Sequence, residues 1–252
     1  MVSDVVAVDL FCGAGGLSCG LKQAGVDVVA GIDVDPACQW PYEHNIGARF
    51  VQESVREITG EDIVRLWEGR DGRRLLAGCA PCQPFSSQRR GADSKSHESW
   101  DLLLEFARLV NESRPDFVTM ENVAPLKSSP VFNRFLGELA KTGYFIDYKV
   151  VRGTDHGLPQ TRRRLVLTAS LDGFVSIPDR TVPAGTVATV REAIGGVASL
   201  YADPGPVDEI VAQLGIDTHM TEAIGSLSGG WARRLDVVLA CIGRPRALVL
   251  DE

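Results

Sequence analysis

The sequence predicts an α/β domain with a largely parallel sheet and an antiparallel edge. Two observations carry that expectation. Short apolar runs alternate with segments of helical period along the first two-thirds of the chain. Then two strand-like runs, Tyr144 to Val151 and Arg164 to Ala169, follow each other with no helix between them and suit a hairpin.

In chain order, Val5 to Phe11 reads as a buried strand. Leu17 to Gln23 reads as a helix start after a glycine-rich turn. Val26 to Asp33 is a second strand, with a helix expected from Pro36 to His44. Ile63 to Trp67 is a short helical piece and Arg73 to Cys79 a further strand. Ser99 to Asn111 places Leu102, Leu103, Phe106, Leu109 and Val110 on one helical face. Phe117 to Met120 is strand-like, and Phe132 to Lys141 suits a helix stopped by Gly143. Beyond about Ser170 the pattern weakens: Asp172 to Val187 is rich in turn residues, Val190 to Ile194 suggests a short helix, and Arg246 to Leu250 reads as a strand.

With 252 residues the chain is long enough to bury one substantial core. Every apolar run is interrupted before it reaches membrane-spanning length. The opening Met1-Val2-Ser3-Asp4 lacks a basic stretch of the secretory kind, so the expectation is a reducing, cytoplasmic setting with six free thiols. A net charge of -7 argues against non-specific coating of nucleic acid, yet leaves room for a local basic face. Four histidines and a single Cys-x-x-Cys give no zinc pattern, so no metal is expected.

Asp9-Leu10-Phe11-Cys12-Gly13-Ala14-Gly15-Gly16 follows the first strand. Glycines there allow a tight turn and close approach of a ligand to backbone N–H groups. An acid, Asp33, ends the second strand, where such carboxylates meet a ribose. Together they point to a nucleoside cofactor. Capping is the competing role for Asp33 and Asp35, and Asp35 before Pro36 suits it well.

Gly78-Cys79-Ala80-Pro81-Cys82-Gln83-Pro84-Phe85-Ser86 sets Cys82 between two prolines after an apolar run. Three roles compete for it: a presented nucleophile, a redox pair with Cys79, and a small buried residue. Cys79, at the strand end, is expected to be a small buried apolar residue. Gln160-Thr161-Arg162-Arg163-Arg164 follows the rigid Gly157-Leu158-Pro159. On a strand, Gln160, Arg162 and Arg164 would share one side. Glu121-Asn122 follows another apolar strand, and its carboxylate would share a crevice with Cys82 if the sheet is parallel.

These segments closely resemble the cytosine-C5 DNA methyltransferase family. Asp9 to Gly16 resembles its first motif, Gly78 to Ser86 its Pro-Cys-Gln loop, Met120-Glu121-Asn122-Val123 its Glu-Asn-Val motif, and Gln160 to Arg164 its Gln-x-Arg-x-Arg element. Asp155 to Pro159 precedes that element in the family manner. The match runs in order over about residues 5 to 169. It implies a Rossmann-like S-adenosylmethionine-dependent methyltransferase fold, with a catalytic and cofactor-binding domain over 1–175 and a partial target-recognition region over 176–252.

By that resemblance, S-adenosylmethionine is the methyl donor. Phe11 would pack on its adenine and Gly13, Gly15 and Gly16 would approach its methionine part, with Asp9, Val34 and Pro81 also on the cofactor side. Asp33 stands where the family has a glutamate on the ribose. Ser54 stands where it has an aspartate on the adenine amino group. Cys82 would add to cytosine C6, raising the electron density at C5, while Glu121 contacts the N3/N4 edge. Arg162 and Arg164 complete the catalytic set, Arg164 near the base and Arg162 near the thiolate or its phosphate neighbours. Gln83, Ser86, Arg89, Asn122 and Gln160 would bind the substrate or shape the loop around it. The partner would be double-stranded DNA with its target cytosine flipped out.

Thr189 to Ile194 resembles the segment that opens the family's recognition region, and nothing after it resembles the final motif. A second polypeptide supplying the final motifs is therefore expected. Leu227-Ser228-Gly229-Gly230-Trp231 with Arg233 and Arg234 fits DNA recognition or a solvated loop equally. A non-catalytic DNA-binding or regulatory relative, an RNA cytosine-C5 methyltransferase and a Cys79/Cys82 redox protein are the alternatives, and restriction protection is the family-level biological role.

Overall fold

A computed structural model of the chain describes residues 4–81, 96–158, 160–183, 185, 189 and 192. Contacts divide the chain into two units: Met1–Val150 with Arg164–Ile177, and Val151–Arg163 with Pro178–Glu252. The first carries nearly all the regular structure among the described residues.

Among the described residues seven strands form one sheet: β1 Val5–Leu10, β2 Asp27–Asp33, β3 Arg49–Gln52, β4 Arg73–Gly78, β5 Phe117–Val123, β6 Phe145–Arg152 and β7 Arg163–Ser170. Their order is β3-β2-β1-β4-β5-β7-β6. The pairings β3-β2, β2-β1, β1-β4 and β4-β5 are parallel, and β7 lies antiparallel to β5. The expected α/β fold, mostly parallel with an antiparallel edge, is the one observed. Because the chain works outward from β1 in both directions, the strand order reverses between β1 and β4, the switch point at whose carboxyl ends open α/β sheets bind their ligands.

Helices α1 Gly16–Gln23, α2 Gln39–Ile46, α3 Gly60–Trp67, α4 Ser96–Ser113 and α5 Pro130–Lys141 join the strands. Side chains alternate across β1, so its two faces enter different cores. Val6, Val8 and Leu10 pack with Ile63 and Trp67 of α3, Phe106 and Leu109 of α4, and Phe132 and Phe135 of α5. Ala7 packs with Tyr42 and Ile46 of α2, together with Phe50 and Leu75. Local signals set the helix starts. Thr59 and Asp62 form a reciprocal capping box on α3, and the Ser129 hydroxyl accepts from the Phe132 N–H ahead of Pro130 at the start of α5. Among the described residues no helix is long and apolar enough to cross a membrane.

Some expectations need correction. β3 was not anticipated, because Arg49-Phe50-Val51-Gln52 is too short to show a period. The helix expected from Pro36 opens instead as a 3-10 turn, Pro36–Cys38. Glu121 and Asn122 lie within β5 rather than after it, since pairing with β7 extends the strand to Val123. Arg162 precedes β7, so strand alternation does not govern its direction. The expected helix over Val190 to Ile194 and strand over Arg246 to Leu250 fall largely or wholly outside the described residues.

Gly31 of β2 shows how tightly the smaller core is built. A Cβ there would sit 2.2 Å from the Tyr42 ring. Gly31→Ala is expected to lower stability by about 1–3 kcal/mol, through displacement of that ring. Urea denaturation measures it, and an unchanged midpoint would contradict the packing described.

Candidate active site

The site begins with strand register. Leu10 is level with Ile32 on one side and with Gly78 on the other, and Gly78 is level with Met120. At this level β1 and β4 end, whereas β2 runs one residue further to Asp33 and β5 three further to Val123, so the residues beyond it share one edge of the sheet. Backbone bonds carry the alignment past the strands, from the Cys12 N–H to the Ile32 carbonyl (3.1 Å) and from the Cys79 N–H to the Leu10 carbonyl (3.3 Å).

On the β1 side, Phe11 (φ 57°) and Gly13 (φ 51°) both adopt left-handed backbone, which turns the chain sharply into α1. Phe11 is half-buried against the larger core. A Cβ on Gly13 or Gly16 would meet nothing within 4 Å, so these positions border open space. Gly15 differs, because a Cβ there would strike Ile46 at 2.6 Å; it is needed for packing against α2. The Asp33 carboxylate accepts the Gly13 N–H at 2.9 Å and the Asp35 N–H at 3.0 Å. It clasps the glycine turn to the end of β2. Asp35 takes the capping role, accepting the Ala37 N–H at 2.9 Å. Val34 is exposed beside them. The Ser54 hydroxyl accepts the Arg56 N–H at 3.3 Å and shapes the turn after β3.

Asp9 is wholly buried beneath this turn. The Ser18 hydroxyl donates to Asp9 Oδ2 at 2.6 Å and lies 2.8 Å from the Tyr42 hydroxyl, while Oδ1 has no hydrogen-bond partner among the described residues. Burial is the main cause that raises the Asp9 carboxyl to a pKa of about 7, outweighing the Ser18 bonds that oppose it. This network escaped the sequence reading, because Ser18 and Tyr42 match no motif.

On the β5 side, Glu121 stands opposite Val166, and Arg164 lies two residues away along β7 on the same face. That diagonal is within reach of long side chains. Arg164 Nε meets Glu121 Oε1 at 2.6 Å. The Cys79 thiol donates to Glu121 Oε2 at 2.8 Å and lies 3.3 Å from the Glu121 carbonyl oxygen. Cys79 is thus a half-buried hydrogen-bond donor rather than the small apolar residue expected of it. Burial first, then the neighbouring carboxylate, pushes its thiol pKa far up, so it stays protonated at neutral pH. Asn122 is buried; its amide donates to the Ala80 carbonyl at 2.8 Å and its side-chain oxygen accepts the Val123 N–H at 2.8 Å. It fastens β5 to the segment leading to the exposed Pro81.

In the second unit, the Gly153 N–H donates to the Arg162 carbonyl at 3.0 Å and the Leu158 N–H to the Gly153 carbonyl at 3.0 Å. A Cβ on Gly153 would lie 2.6 Å from the Gln160 carbonyl oxygen, so the close return of Gln160 and Arg162 requires glycine there. Arg162 is exposed and Gln160 partly so. Cys82, Gln83, Ser86 and Arg89 lie outside the described residues.

The strand order and the loops at its carboxyl edge define a Rossmann-like domain with a glycine turn and an acid at adjacent strand ends. The chain belongs to the C-5 cytosine-specific DNA methylase family, whose model matches residues 5–210. It is 41% identical over 198 residues to the type II methylase M.HgiDII of Herpetosiphon aurantiacus, covering 77% of this chain and 55% of that protein. It is 35% identical over 208 residues to the type II methyltransferase M.XorII of Xanthomonas oryzae, covering 79% of this chain and 48% of that one. The chain therefore spans about half the length of these relatives. Among solved structures, a prophage-encoded E. coli protein described as a DNA modification methyltransferase superposes with a TM-score of 0.62 at 28% identity, covering 75% of this chain and 54% of that one. The S. pombe Dnmt2 methyltransferase, at 22% identity and a TM-score of 0.60 over 75% of this chain and 58% of its own, shares the fold.

The buried Asp9 makes stability depend on pH. Its folded value near 7 lies above the roughly 3.9 of an unfolded chain, so the folded state holds a proton that the unfolded state releases between those values. The resulting stabilisation is complete below about pH 4 and is lost as pH rises to about 7, at about 1.4 kcal/mol per pH unit. Asp9→Asn cannot ionise and removes that slope. In urea denaturation, wild-type stability should fall relative to the variant across this window and then level off. A constant difference would contradict a protonated Asp9.

Proposed function

We propose that this chain transfers a methyl group from S-adenosylmethionine to C5 of cytosine in DNA, through a covalent bond between Cys82 and C6. The observation that carries the reading is the Glu121 carboxylate, held by Arg164 and Cys79 at the level where the chain leaves β4 for Cys82. Family membership supplies the context for it.

The residues present suit the cofactor. The open sides of Gly13 and Gly16 leave room for the methionine part, and Asp33 at the turn offers a carboxylate for the ribose. Phe11 and Val34 line the adenine side, Ser54 takes the adenine-amino position, and Pro81 borders the reacting end. Asp9 supports the turn from beneath through Ser18. When bound, S-adenosylmethionine supplies an electrophilic methyl group.

Cytosine C5 is too weak a nucleophile to accept that methyl unaided. In this reading the Cys82 thiolate forms a bond to C6, and the displaced electron pair loads C5. Glu121 contacts the N3/N4 edge and assists protonation at N3. After C5 is methylated, its proton leaves to water or another base, the S–C6 bond breaks, and the thiolate is restored. Arg162, Gln160, Gln83, Ser86 and Arg89 hold the base and nearby phosphates, and Asn122 anchors the loop that presents Cys82. The target cytosine leaves the duplex, at an unstacking cost of a few kcal/mol. Residues 1–175 form the catalytic and cofactor part, and 176–252 belong to target recognition.

Fluorine at C5 cannot depart as a proton, so a duplex containing 5-fluorocytosine should trap the enzyme after methyl transfer. The expected result is an adduct stable in denaturing gels that needs S-adenosylmethionine, is lost in Cys82→Ala and still forms in Cys79→Ser. An adduct that persists in Cys82→Ala would contradict the assignment. Running the chain alone and with added family sequence shows whether a second polypeptide contributes.

A further inference from the structure

We propose that Cys79 is a positioning residue for Glu121: its thiol hydrogen bond, opposite the Arg164 guanidinium, fixes the plane of the carboxylate that meets the cytosine edge. The catalytic part of this inference rests on the function proposed above; the hydrogen bond itself does not.

Glutamate has three rotatable side-chain bonds, and a single donor leaves its carboxylate free to turn about the remaining axis. Here the two oxygens are held by different donors, Oε1 by Arg164 Nε at 2.6 Å and Oε2 by Cys79 Sγ at 2.8 Å. The donors approach from opposite sides of β5, Cys79 from just past the end of β4 and Arg164 from β7, the two strands that flank it. Neither donor is a fully exposed side chain: Arg164 is 22% exposed at the side chain and Cys79 is half-buried. The Glu121 carbonyl oxygen, 3.3 Å from the same sulfur, holds the thiol over its own residue.

A thiol is a weak donor, but toward an ionised carboxylate the bond is charge-assisted. Burial beside Glu121 keeps Cys79 protonated, so it donates at neutral pH and is a poor nucleophile. The two cysteines of Cys79-Ala80-Pro81-Cys82 then have separate tasks. Cys82 attacks the base, and Cys79 aligns the carboxylate that activates it. Preorganisation of this kind raises the rate of the chemical step while leaving cofactor binding alone.

Two measurements on the full chain test this. The first is infrared difference spectroscopy, in which subtracting Cys79→Ser isolates the Cys79 S–H stretch. That band should lie at lower frequency in the wild type than in Glu121→Gln, because an amide accepts more weakly than a carboxylate. An identical band in the two proteins would overturn the hydrogen bond. The second is the rate of adduct formation with the 5-fluorocytosine duplex. Cys79→Ala should slow it roughly tenfold, the worth of one charge-assisted hydrogen bond, with the S-adenosylmethionine Kd unchanged. Cys79→Ser, which keeps a donor, should recover most of the rate. A wild-type rate in Cys79→Ala, or equal losses in both variants, would overturn the positioning role. If the wild type forms no adduct either alone or with the added family sequence, the methylation reading fails instead, and the infrared result still decides whether the thiol holds Glu121.

Discussion

Parallel register among β2, β1, β4 and β5 is the constraint on which the site depends. Levelling Ile32, Leu10, Gly78 and Met120 across four strands brings the residues that follow them, from four otherwise distant parts of the chain, to one edge of the sheet. The glycine turn, Asp33, Cys79 and Glu121 are separated by up to 108 residues in sequence, counted from Gly13 to Glu121, and are brought to one edge only through this register. The antiparallel β7 adds the last element. It enters the sheet from the opposite direction, so its first residues lie beside the last residues of β5, and Arg164 meets Glu121.

The same edge explains why small residues recur at awkward places. Gly31 leaves space for the Tyr42 ring, Tyr42 brings its hydroxyl to Ser18, and Ser18 reaches Asp9 beneath the glycine turn. Gly15 admits Ile46 on the same side. The turn is thus supported by packing from α2 below and clasped by Asp33 from β2. A carboxylate so fully buried is costly to ionise, which makes the support beneath the turn sensitive to protonation.

Much of this was legible in the sequence, because the strands are buried apolar runs and the helices carry clear periods. Strand-end motifs such as Asp9 to Gly16 and Met120 to Val123 could be placed at the same edge once a parallel sheet was inferred. Three things were not legible. β3 is too short to carry a pattern, and its pairing with β2 is what defines it. The partnership of Cys79 with Glu121 depends on register between strands 42 residues apart, which no local spacing reveals. Arg162 was grouped with Arg164 by strand alternation, yet the strand starts one residue too late for that argument to reach it. In each case the deciding contact lies between strands rather than along one.

The proposed function comes down to one chemical event, methylation of cytosine at C5. The direct test is to incubate duplex DNA with the protein and methyl-labelled S-adenosylmethionine, digest the DNA to nucleosides, and identify the labelled one by mass. Label is expected in 5-methyldeoxycytidine alone and is absent with Glu121→Ala. Label on the N4 amino group of cytosine or the N6 amino group of adenine would contradict it.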